Sequence, residues 1–562
     1  MKILLVGINS KYIHSNLAIR YLREFTKDLN HEGKIMEFSI NDCLDNIVEA
    51  IMEEKPQVVA FSTYIWNSEY VRKVAKTIKL IDNSVEIIYG GPEVTYDGEN
   101  FLRNNVGEYI IEGEGEETFR ELVEYKLGKG KISDIKGIYY KVSGDNQETT
   151  IVYNGKRPVM DMNKIVFPYN EEDDLQNKIV YYEASRGCPF RCKYCLSSVL
   201  TNVRFLNVER VKKDLTYLIE KNVKLIKFVD RTFNCDGKFA MELWEFLMNY
   251  PCDTTFHFEI SADIFKKEEL ELLSKAPKGK FQFEVGVQTT NDEVLKNINR
   301  YVKFDHIKEN IQYVQKHDNI KQHLDLIAGL PGEDLESFKK SFNDVYSIEP
   351  EEIQLGFLKL IKGTSMRKEA NQWGMVASPY APYEILKTKD ISYDELLSLK
   401  KVENMVDKYY NSGKFNLTIK YLRKCFDNPF EFYESLANYF ENHGYFKRSI
   451  SNNDYYKFFL DFNKDILKSN TDIIREILRY EYLCVNKKRG IPEFLRGDMS
   501  KDEERAIKDI LREKGQKLEN SSHVEKFNID IAKLKSKNNV SKKNIYIIFN
   551  EKKEPTYLDL QE

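Results

Sequence analysis

The chain has 562 residues, enough for about three or four domains, and its hydrophobic content of 42% permits sizeable cores. A formal net charge of −4 provides no global basic field of the kind that indicates nucleic-acid binding. The apolar run after Lys2 is too short for a signal peptide or a membrane span, and 8 cysteines are too few for a disulfide framework. We therefore expect a cytoplasmic protein with neither a membrane nor a nucleic-acid partner.

Residues 1–130 alternate short β-branched runs with amphipathic helical runs. The predicted strands are KILLVGI, KIMEFSI, VVAFSTY, EIIYGG and YIIEGEGE. This alternation predicts an α/β domain with a flavodoxin-like, doubly wound parallel sheet, in which ligands bind beyond the carboxyl ends of the strands. No G-x-G-x-x-G motif follows the first strand, which disfavours a standard dinucleotide site.

Small or polar residues follow the predicted strands of this domain, at the edge where a ligand would bind. They are His14, Ser62, Thr63, Gly90, Gly91, Pro92, Glu112 and Gly113. Small residues allow a large ligand to approach the backbone closely. Each loop taken alone is better explained as an ordinary tight turn, and His14 also fits a solvated loop histidine, but together the loops favour a ligand.

Residues 131–178 are predicted to form a connector built on a β-hairpin. Its two strands are KGIYYKVSG and TTIVYNGK, on either side of Gly144-Asp145-Asn146. Gly, Asp and Asn are typical of tight turns between strands, and an acidic run from Glu171 to Asp174 then leads to the next strand.

Three cysteines lie close together in the stretch YYEASRGCPFRCKYCLSS. Cys188, Cys192 and Cys195 have the spacing C-x3-C-x2-C and follow a predicted strand. Three thiolates on one loop can bind three irons of a 4Fe–4S cubane and leave the fourth iron open. Structural zinc is the alternative, but it requires four ligands and the sequence has no second C-x2-C pair. The other five cysteines are scattered, and we predict that they are buried small hydrophobic residues.

Residues 179–375 resume the alternation of strands and helices. The predicted strands are IVYYEAS, KLIKFVD, TTFHFEIS, KFQFEVGVQ, KQHLDLIAGL and EIQLGFLKLI, with helices beginning near Val208, Lys238, Lys267, Asp292 and Leu335. Six such units predict a partial (β/α)6 barrel with its chemistry at the carboxyl ends of the strands. Polar residues stand there in otherwise apolar strands, including Asp230, Glu259, Glu284, Gln288 and Asp325. A carboxylate at such a position is often a structural ion-pair partner, but its repetition on successive strands favours a site.

Residues 376–562 are predicted to form a mainly helical domain that ends with one strand, NIYIIF. Tyr and Phe recur at helical spacing, as in YESLANYF, which favours core packing over a lid above a substrate pocket. This third of the chain carries no motif that names a substrate, although we expect substrate determinants in it.

The stretch RGCPFRCKYC resembles the cluster loop of the radical SAM superfamily. The resemblance implies an open iron that chelates S-adenosylmethionine (SAM), with the backbone carbonyl of Tyr194 near the adenine amine. It also implies that Glu259, Glu284 and Gln288 face SAM and that Ile327 to Gly329 flank its adenine. Glu259 and Asp230 are the candidate catalytic residues.

The order of the domains, and the loops STY, GGPEVT and EGEGE, resemble the branch of that superfamily that binds cobalamin. The resemblance implies that Ser62, Thr63, Gly90, Gly91, Pro92, Glu112 and Gly113 surround the nucleotide tail and the corrin edge. His14 occupies the loop that carries D-x-H-x-x-G in proteins whose histidine binds cobalt, but Tyr12 and Leu17 replace the Asp and the Gly. We therefore expect His14 to contact the lower face or the tail of cobalamin rather than to bind cobalt.

The resemblance implies an oxygen-sensitive, cobalamin-dependent radical SAM enzyme. The expected reaction is methyl transfer to an unactivated carbon through a 5′-deoxyadenosyl radical and methylcobalamin, with flavodoxin or ferredoxin as electron donor. The alternatives are a ring closure, rearrangement or oxidation that uses cobalamin without methyl transfer, and a non-catalytic sensor of cobalamin or SAM. The substrate, a small molecule or a peptide, is not named by the sequence.

Overall fold

The computed structural model describes residues 1–143, 149–199, 202–486, 488–513, 522–537, 539–550 and 553–558. The predicted hairpin turn at Gly144-Asp145-Asn146 lies outside these residues. The chain forms two compact units, one of residues 1–338 and 356–393 and the other of residues 339–355 and 394–562. Over the described ranges, no helix has both the length and the apolar character that crossing a membrane requires.

The first unit begins with a sheet to which seven strands contribute in the described part of the chain. They are β1 (Lys2–Asn9), β2 (Glu32–Ser39), β3 (Val58–Ser62), β4 (Glu86–Gly90), β5 (Tyr109–Ile111), β6 (Ile138–Ser143) and β7 (Thr149–Tyr153). Their order is β2-β1-β3-β4-β5-β6-β7, with parallel pairing up to β5 and antiparallel pairing beyond it. The two strands predicted as a connecting hairpin are therefore the edge of this sheet.

Helices cover both faces of this sheet, as the sequence pattern predicts. They are α1 (Leu17–Thr26), α2 (Leu44–Glu53), α3 (Ser68–Ile81), α4 (Pro92–Thr95), α5 (Gly98–Asn104) and α6 (Glu116–Lys126). Strand β1 shows why: Leu4, Val6 and Ile8 belong to one buried apolar cluster, and Ile3 and Leu5 belong to another. A strand that is apolar on both sides must be covered on both sides, which gives the doubly wound fold.

The barrel follows, with six strands among the described residues. They are β8 (Ile179–Tyr182), β11 (Leu225–Phe228), β12 (Thr255–Ile260), β13 (Phe281–Gln288), β14 (Lys321–Ala328) and β15 (Glu352–Phe357), while the short strands β9 (Ser185–Arg186) and β10 (Arg204–Phe205) pair with each other. The order is β15-β14-β13-β12-β11-β8, so β8 and β15 are the edges of an open sheet. This confirms the predicted partial barrel.

The barrel helices begin at or within one residue of the five predicted starts. They are α7 (Val208–Glu220), α8 (Gly237–Asn249), α9 (Lys267–Leu273), α10 (Asp292–Asn297), α11 (Phe304–Gln315) and α12 (Leu335–Tyr346). Helix α11 was not predicted, because it follows α10 without an intervening strand. After β15 the chain forms α13 (Ser365–Glu369), β16 (Val376–Ala377) and β17 (Ile385–Lys387).

The second unit is mainly helical. Its helices are α14 (Tyr393–Met405), α15 (Asn416–Leu422), α16 (Pro429–Asn442), α17 (Asn452–Phe462), α18 (Thr471–Val485), α19 (Lys501–Glu513) and α20 (Ile531–Lys537). Tyr433, Leu436, Tyr439 and Phe440 of α16 are buried, which confirms core packing for the aromatic pattern. The unit also contains an antiparallel sheet of β18 (His523–Ile529), β19 (Lys542–Asn550) and β20 (Lys553–Leu558), of which only β19 was predicted.

The prediction that the other cysteines are buried is wrong, because none of the five is buried. Cys43, Cys425 and Cys484 are exposed, whereas Cys235 and Cys252 are half-buried. The sequence alone did not show this, because each of the three exposed cysteines has an apolar neighbour in the chain.

Candidate functional site

The loop after β8 carries the three cysteines at the carboxyl end of the barrel. Cys188 and Cys192 are buried and Cys195 is half-buried. The backbone N–H of Cys195 donates to the carbonyl of Cys192 over 3.1 Å, so these two residues form a tight turn. Burial raises the pKa of the Cys188 thiol, and the charges of Cys195 and Cys192 raise it further, which shows that the three thiols are neighbours.

The three thiols fit a cubane better than a single metal ion. Within the described ranges, no group of three or more His, Cys, Asp or Glu side chains could hold one metal ion. In a cubane each cysteine binds a different iron, so the sulfur atoms do not have to converge on one point. The spacing of the thiols on one loop therefore suits an iron–sulfur cluster.

Arg300, between α10 and α11, was missed by the sequence analysis. Its Nη1 lies 3.7 Å from Sγ of Cys192 and its Nη2 donates to the carbonyl of Gly286 over 2.6 Å. Tyr194 is half-buried near Arg300 and Cys192. Burial raises the pKa of Tyr194, and the charges of Arg300 and Cys192 also act on it. The sequence around Arg300 does not indicate this contact, because Arg300 and Cys192 are 108 positions apart in the chain.

Charged side chains of neighbouring strands meet inside the barrel. Glu284 of β13 accepts from Nζ of Lys227 over 2.9 Å and lies 3.0 Å from Nε2 of His257. Burial alone would raise the pKa of Glu284, but His257 and Lys227 lower it to about 2. Glu284 is therefore a fixed carboxylate with two partners from β11 and β12.

Glu259 lies beside Glu284 in the register of β12 and β13. Its nearest cation is Arg231, 3.7 Å away and 53% exposed. Burial raises the pKa of Glu259, Arg231 lowers it and Glu284 raises it again. Glu259 thus has a loose partner that leaves room for a ligand donor.

Two further carboxyl and amide groups show that this part of the barrel suits a polar ligand. Oδ1 of Asp325 and Oε1 of Gln288 are buried and have no hydrogen-bond partner in the described residues. Burial, followed by Glu284 and Glu259, raises the pKa of Asp325 well above its ordinary value. A bound ligand with donor groups, such as the ammonium and ribose hydroxyls of SAM, would satisfy these atoms.

Glycines near the ends of β13 and β14 allow other side chains to pack closely against the backbone. A Cβ at Gly286 would collide with the Gln288 amide, and Gln288 itself has a positive φ of 72°. A Cβ at Gly329, whose φ is +83°, would lie 2.7 Å from the side chain of Ile385. Of the predicted adenine-flanking residues, Gly329 therefore lies beside β17, and Ile327 lies beside Gly356 of β15.

Asp230 has its partners within the chain. It is buried and accepts from the backbone N–H of Ala184 over 3.0 Å and from Oγ of Ser185 over 2.5 Å. Burial raises the pKa of Asp230 to about 7 even though both hydrogen bonds lower it. The contacts hold the start of the cysteine loop, so the geometry indicates a positioning role for this predicted catalytic residue.

The predicted loops of the N-terminal sheet meet at its carboxyl edge. Ser62 pairs with Gly90, and Gly90 pairs with Ile111, so the loops after β3, β4 and β5 are adjacent. The N–H of Thr63 donates to Gly90 over 2.7 Å, and a Cβ at Gly91 would lie 2.5 Å from the carbonyl of Thr63. Pro92 opens α4, while Glu112 accepts from the Tyr153 hydroxyl and Gly113 donates to Thr95 over 3.2 Å.

The carboxyl edge of the N-terminal sheet faces the carboxyl ends of the barrel strands. Burial raises the pKa of Tyr64, which follows β3, and Glu183 and Arg231 are close enough for their charges to act on it as well. Glu183 follows β8 and Arg231 follows β11, beside the cysteine loop. Arg186, just before the cysteine loop, also lies 2.5 Å from Glu116 after β5, so loops at the two predicted ligand edges meet within one compact unit.

His14 connects the two domains. Its Nδ1 lies 2.7 Å from Oη of Tyr181 in β8, and the loop also pairs with β8, since Ser15 N–H donates to Ile179 and Ile179 N–H donates to Ile13. Tyr181 replaces the absent carboxylate as the group that orients the imidazole. Burial lowers the pKa of His14, and the positive charges of Lys11 and Lys227 lower it further. The neutral imidazole ring is therefore favoured.

A second contact between the domains is a cluster of buried charges, here called the interdomain charge cluster: Arg186, Arg204, Glu114, Glu116 and Glu183. Arg186 reaches Glu116 over 2.5 Å and Glu183 over 2.9 Å, and lies 3.9 Å from Glu114, which Arg204 also contacts. The glutamates of the EGEGE loop therefore hold the barrel, a role that the sequence analysis did not assign to them.

Three family models match separate parts of the chain. A B12 binding domain matches residues 3–123, the Radical SAM superfamily matches residues 182–345, and a protein of unknown function (DUF4080) matches residues 371–549. The first two matches coincide with the N-terminal sheet and the barrel.

Known proteins agree with these matches. An uncharacterized methyltransferase, PH0819 of Pyrococcus horikoshii, is 26% identical over 50% of this chain and 63% of its own length. The cobalamin-dependent radical SAM methyltransferase TokK of Streptomyces tokunonensis is 25% identical over 43% of this chain and 36% of its own length. The solved structure of the cobalamin-dependent SAM radical enzyme OxsB, with aqua-cobalamin and SAM bound, covers 92% of this chain and 76% of its own at 16% identity and a TM-score of 0.53. The chain spans less than two thirds of either curated relative, and the structural likeness shows the fold.

Proposed function

We propose that this radical SAM protein with an N-terminal B12-binding domain is an enzyme that transfers a methyl group to an unactivated carbon. The observation that carries the proposal is that β8 and the start of the cysteine loop contact the ligand edge of the B12-binding domain, with Arg186 2.5 Å from Glu116 and Nδ1 of His14 2.7 Å from Oη of Tyr181. The methyltransferase names of two relatives support the reaction class. A one-electron donor such as flavodoxin or ferredoxin and a cytoplasmic location complete the proposal.

Residues of this chain fit three cofactors. Cys188, Cys192 and Cys195 would hold the 4Fe–4S cluster, and the loops at Ser62–Thr63, Gly90–Pro92 and Glu112–Gly113, with His14, would hold cobalamin. The SAM site would comprise Tyr194, Glu259, Glu284, Gln288, Ile327 and Gly329. When bound, the cluster supplies the electron that cleaves SAM, and cobalamin carries the methyl group.

The chain's own groups would orient these cofactors and shield them from water. Lys227 and His257 hold Glu284 ionised, Arg300 places positive charge beside Cys192, and Tyr181 fixes the ring of His14. Glu259 is free to accept from a cationic or hydroxyl-bearing ligand, because Arg231 contacts it only loosely. Positioning of this kind is the main contribution that a protein makes to cofactor chemistry.

The test uses anaerobically reconstituted full-length protein supplied with SAM, hydroxocobalamin and a reductant. We expect formation of 5′-deoxyadenosine, and mass analysis of metabolites and tRNA with and without the gene should reveal a product that gains one CH2. A product without that gain would favour ring closure, rearrangement or oxidation. Tight cofactor binding without 5′-deoxyadenosine would indicate a sensor and overturn the proposal.

His14→Ala is expected to weaken cobalamin binding without changing the coordination spectrum of cobalt. The reason is that the loop of His14 is fixed to β8 by Tyr181 and by backbone hydrogen bonds, which places it at the ligand edge. Titration with hydroxocobalamin, followed by visible absorption and EPR of the cob(II)alamin form, measures both properties. A changed cobalt spectrum would show that His14 is an axial ligand, and wild-type protein that binds no cobalamin would end the methylation hypothesis.

Glu259→Gln is expected to raise the dissociation constant for SAM about ten- to a hundredfold, the usual cost of one charge-assisted hydrogen bond. It should also slow 5′-deoxyadenosine formation and leave cluster content and bound cobalamin unchanged. The alternative role for Glu259 is a structural ion pair with a barrel lysine such as Lys227 or Lys359, but Lys227 pairs with Glu284 and Lys359 is exposed. Isothermal titration with SAM, beside a melting curve, measures the effect.

Glu284→Gln is the matched comparison on the adjacent strand. It leaves Lys227 and His257 without their carboxylate, so we expect a clear loss of thermal stability. If Glu259→Gln instead lowers the melting point and leaves SAM affinity unchanged, Glu259 is a structural ion-pair partner and its assignment to SAM is wrong.

A further inference from the structure

A short segment after β15 contacts both of the predicted cofactor loops. Residues 362–383, here called the bridging segment, contain α13 and the turn that precedes β17. They lie in the same compact unit as the N-terminal sheet and the cysteine loop. The radical SAM match ends at residue 345 and the match of unknown function begins at 371, so the first part of the bridging segment lies between them.

One end of the bridging segment holds the loop after β4. Glu93, which follows Pro92, is 3% exposed and accepts from Nζ of Lys362 over 2.9 Å. The hydroxyl of Tyr383, at the opposite end of the segment, donates to the same carboxylate. Gly363, with a φ of +85°, packs so closely on Tyr96 that a Cβ there would lie 2.5 Å from the ring. A buried carboxylate with one cation is costly to disturb, so this end is firmly attached.

The middle of the bridging segment, at α13, contacts the cysteine loop. The N–H of Met366 donates to the carbonyl of Lys193 over 2.9 Å, and Nζ of Lys193 reaches Glu369 over 2.8 Å. Lys193 lies between Cys192 and Tyr194, and the side chain of Met366 is fully buried. Lys362 and Met366, which make one contact of each kind, are four residues apart in the chain, and this leaves little freedom between the two attachments.

We propose that the bridging segment sets the spacing between the cobalamin loop and the cluster loop. Lys362 and Met366, four positions apart, are its positioning residues: the side chain of Lys362 fixes Glu93, and the backbone N–H of Met366, anchored by its buried side chain, fixes Lys193. The inference rests on the proposed function, because it takes these two loops to hold cobalamin and the cluster. Its physical basis is that a short, doubly attached segment transmits position, and transfer between bound groups depends steeply on their spacing.

The test compares Lys362→Met and Met366→Ala with Lys368→Met, a matched control at an exposed lysine of α13. Full-length protein is loaded with cob(II)alamin and its cluster is reduced, so that both groups are paramagnetic. Pulsed EPR then measures the magnetic coupling between them, which needs no substrate. We expect each of the two variants to broaden the distribution of distances about twofold, because a positioned site is normally held within roughly 0.5 Å, and the control to match wild type.

Melting curves and cofactor titrations on the same samples separate the outcomes. Lowered melting points with wild-type coupling in the loaded protein would mean that the segment only stabilises the fold, and would overturn the inference while leaving the proposed function standing. A wild-type protein that fails to bind cobalamin or the cluster would overturn the proposed function first, and the inference with it. Broadened coupling in both variants, with cofactor content retained, supports the inference.

Discussion

Replacing Cys188, Cys192 and Cys195 together by alanine is expected to abolish the 4Fe–4S cluster and to reduce 5′-deoxyadenosine formation to background. The three thiols are neighbours on one loop, and the cluster depends on their thiolates. In the described residues, Thr232 contacts Cys188 and Arg300 contacts Cys192, and neither side chain replaces a thiolate. Iron and sulfide content, with EPR of the reduced protein, measures the loss.

Cys235→Ala is the matched control for this experiment. Cys235 is half-buried in the loop after β11, and its charge interacts with that of Cys188. We expect this variant to keep its cluster and its activity, because the loop spacing already supplies three ligands. Cluster loss in Cys235→Ala, or a cubane retained by the triple variant, would show that the ligands are assigned wrongly.

Arg186→Met is expected to cause the largest loss of stability, because Arg186 holds three carboxylates of the interdomain charge cluster. Removing one partner of a buried ion pair commonly costs about 3–5 kcal/mol, since the remaining charges stay buried and unpaired. Burial already raises the pKa of Glu183, so this group tolerates little further loss of positive charge. Melting curves and limited proteolysis of the full-length protein measure the effect.

Two further variants make the Arg186 result specific. Arg191→Met removes an exposed arginine of the same loop and should leave the melting point unchanged. Arg186→Met combined with Glu116→Gln should recover part of the loss, because one unpaired carboxylate is then removed. Equal melting points for Arg186→Met and Arg191→Met would show that the interdomain charge cluster contributes nothing to stability.

The sequence predicted the fold closely where the spacing of the apolar residues matches the period of a strand or a helix. Strands such as FQFEVGVQ alternate buried and half-buried residues, and helix starts at Val208, Lys267 and Asp292 were placed to the residue. Strands β18 and β20 were missed because charged residues interrupt them and their apolar face is narrow. Their stability comes from pairing with β19, which local pattern does not contain.

The site was predictable for its cysteines and less so for its partners. The spacing of Cys188, Cys192 and Cys195 is local, so it can be read from the chain. The ion pair of Arg186 with Glu116 and the contact of Arg300 with Cys192 join residues 70 and 108 positions apart. No local rule selects such partners, and for the same reason the sequence did not indicate Arg231 as the cation beside Glu259.

The pairing of the His14 loop with β8 has a consequence for the order of folding during synthesis. The ribosome releases the N-terminal sheet first, but the edge at Ile13 and Ser15 has no backbone partner until Ile179 emerges. Glu114 and Glu116 likewise lack their ion-pair partners until Arg186 and Arg204 have been synthesised. A nascent or truncated chain that stops near residue 160 would thus expose unpaired backbone groups of the His14 loop and uncompensated acidic groups. The N-terminal domain is therefore expected to reach its native state only once the first barrel strand and its cysteine loop have been made.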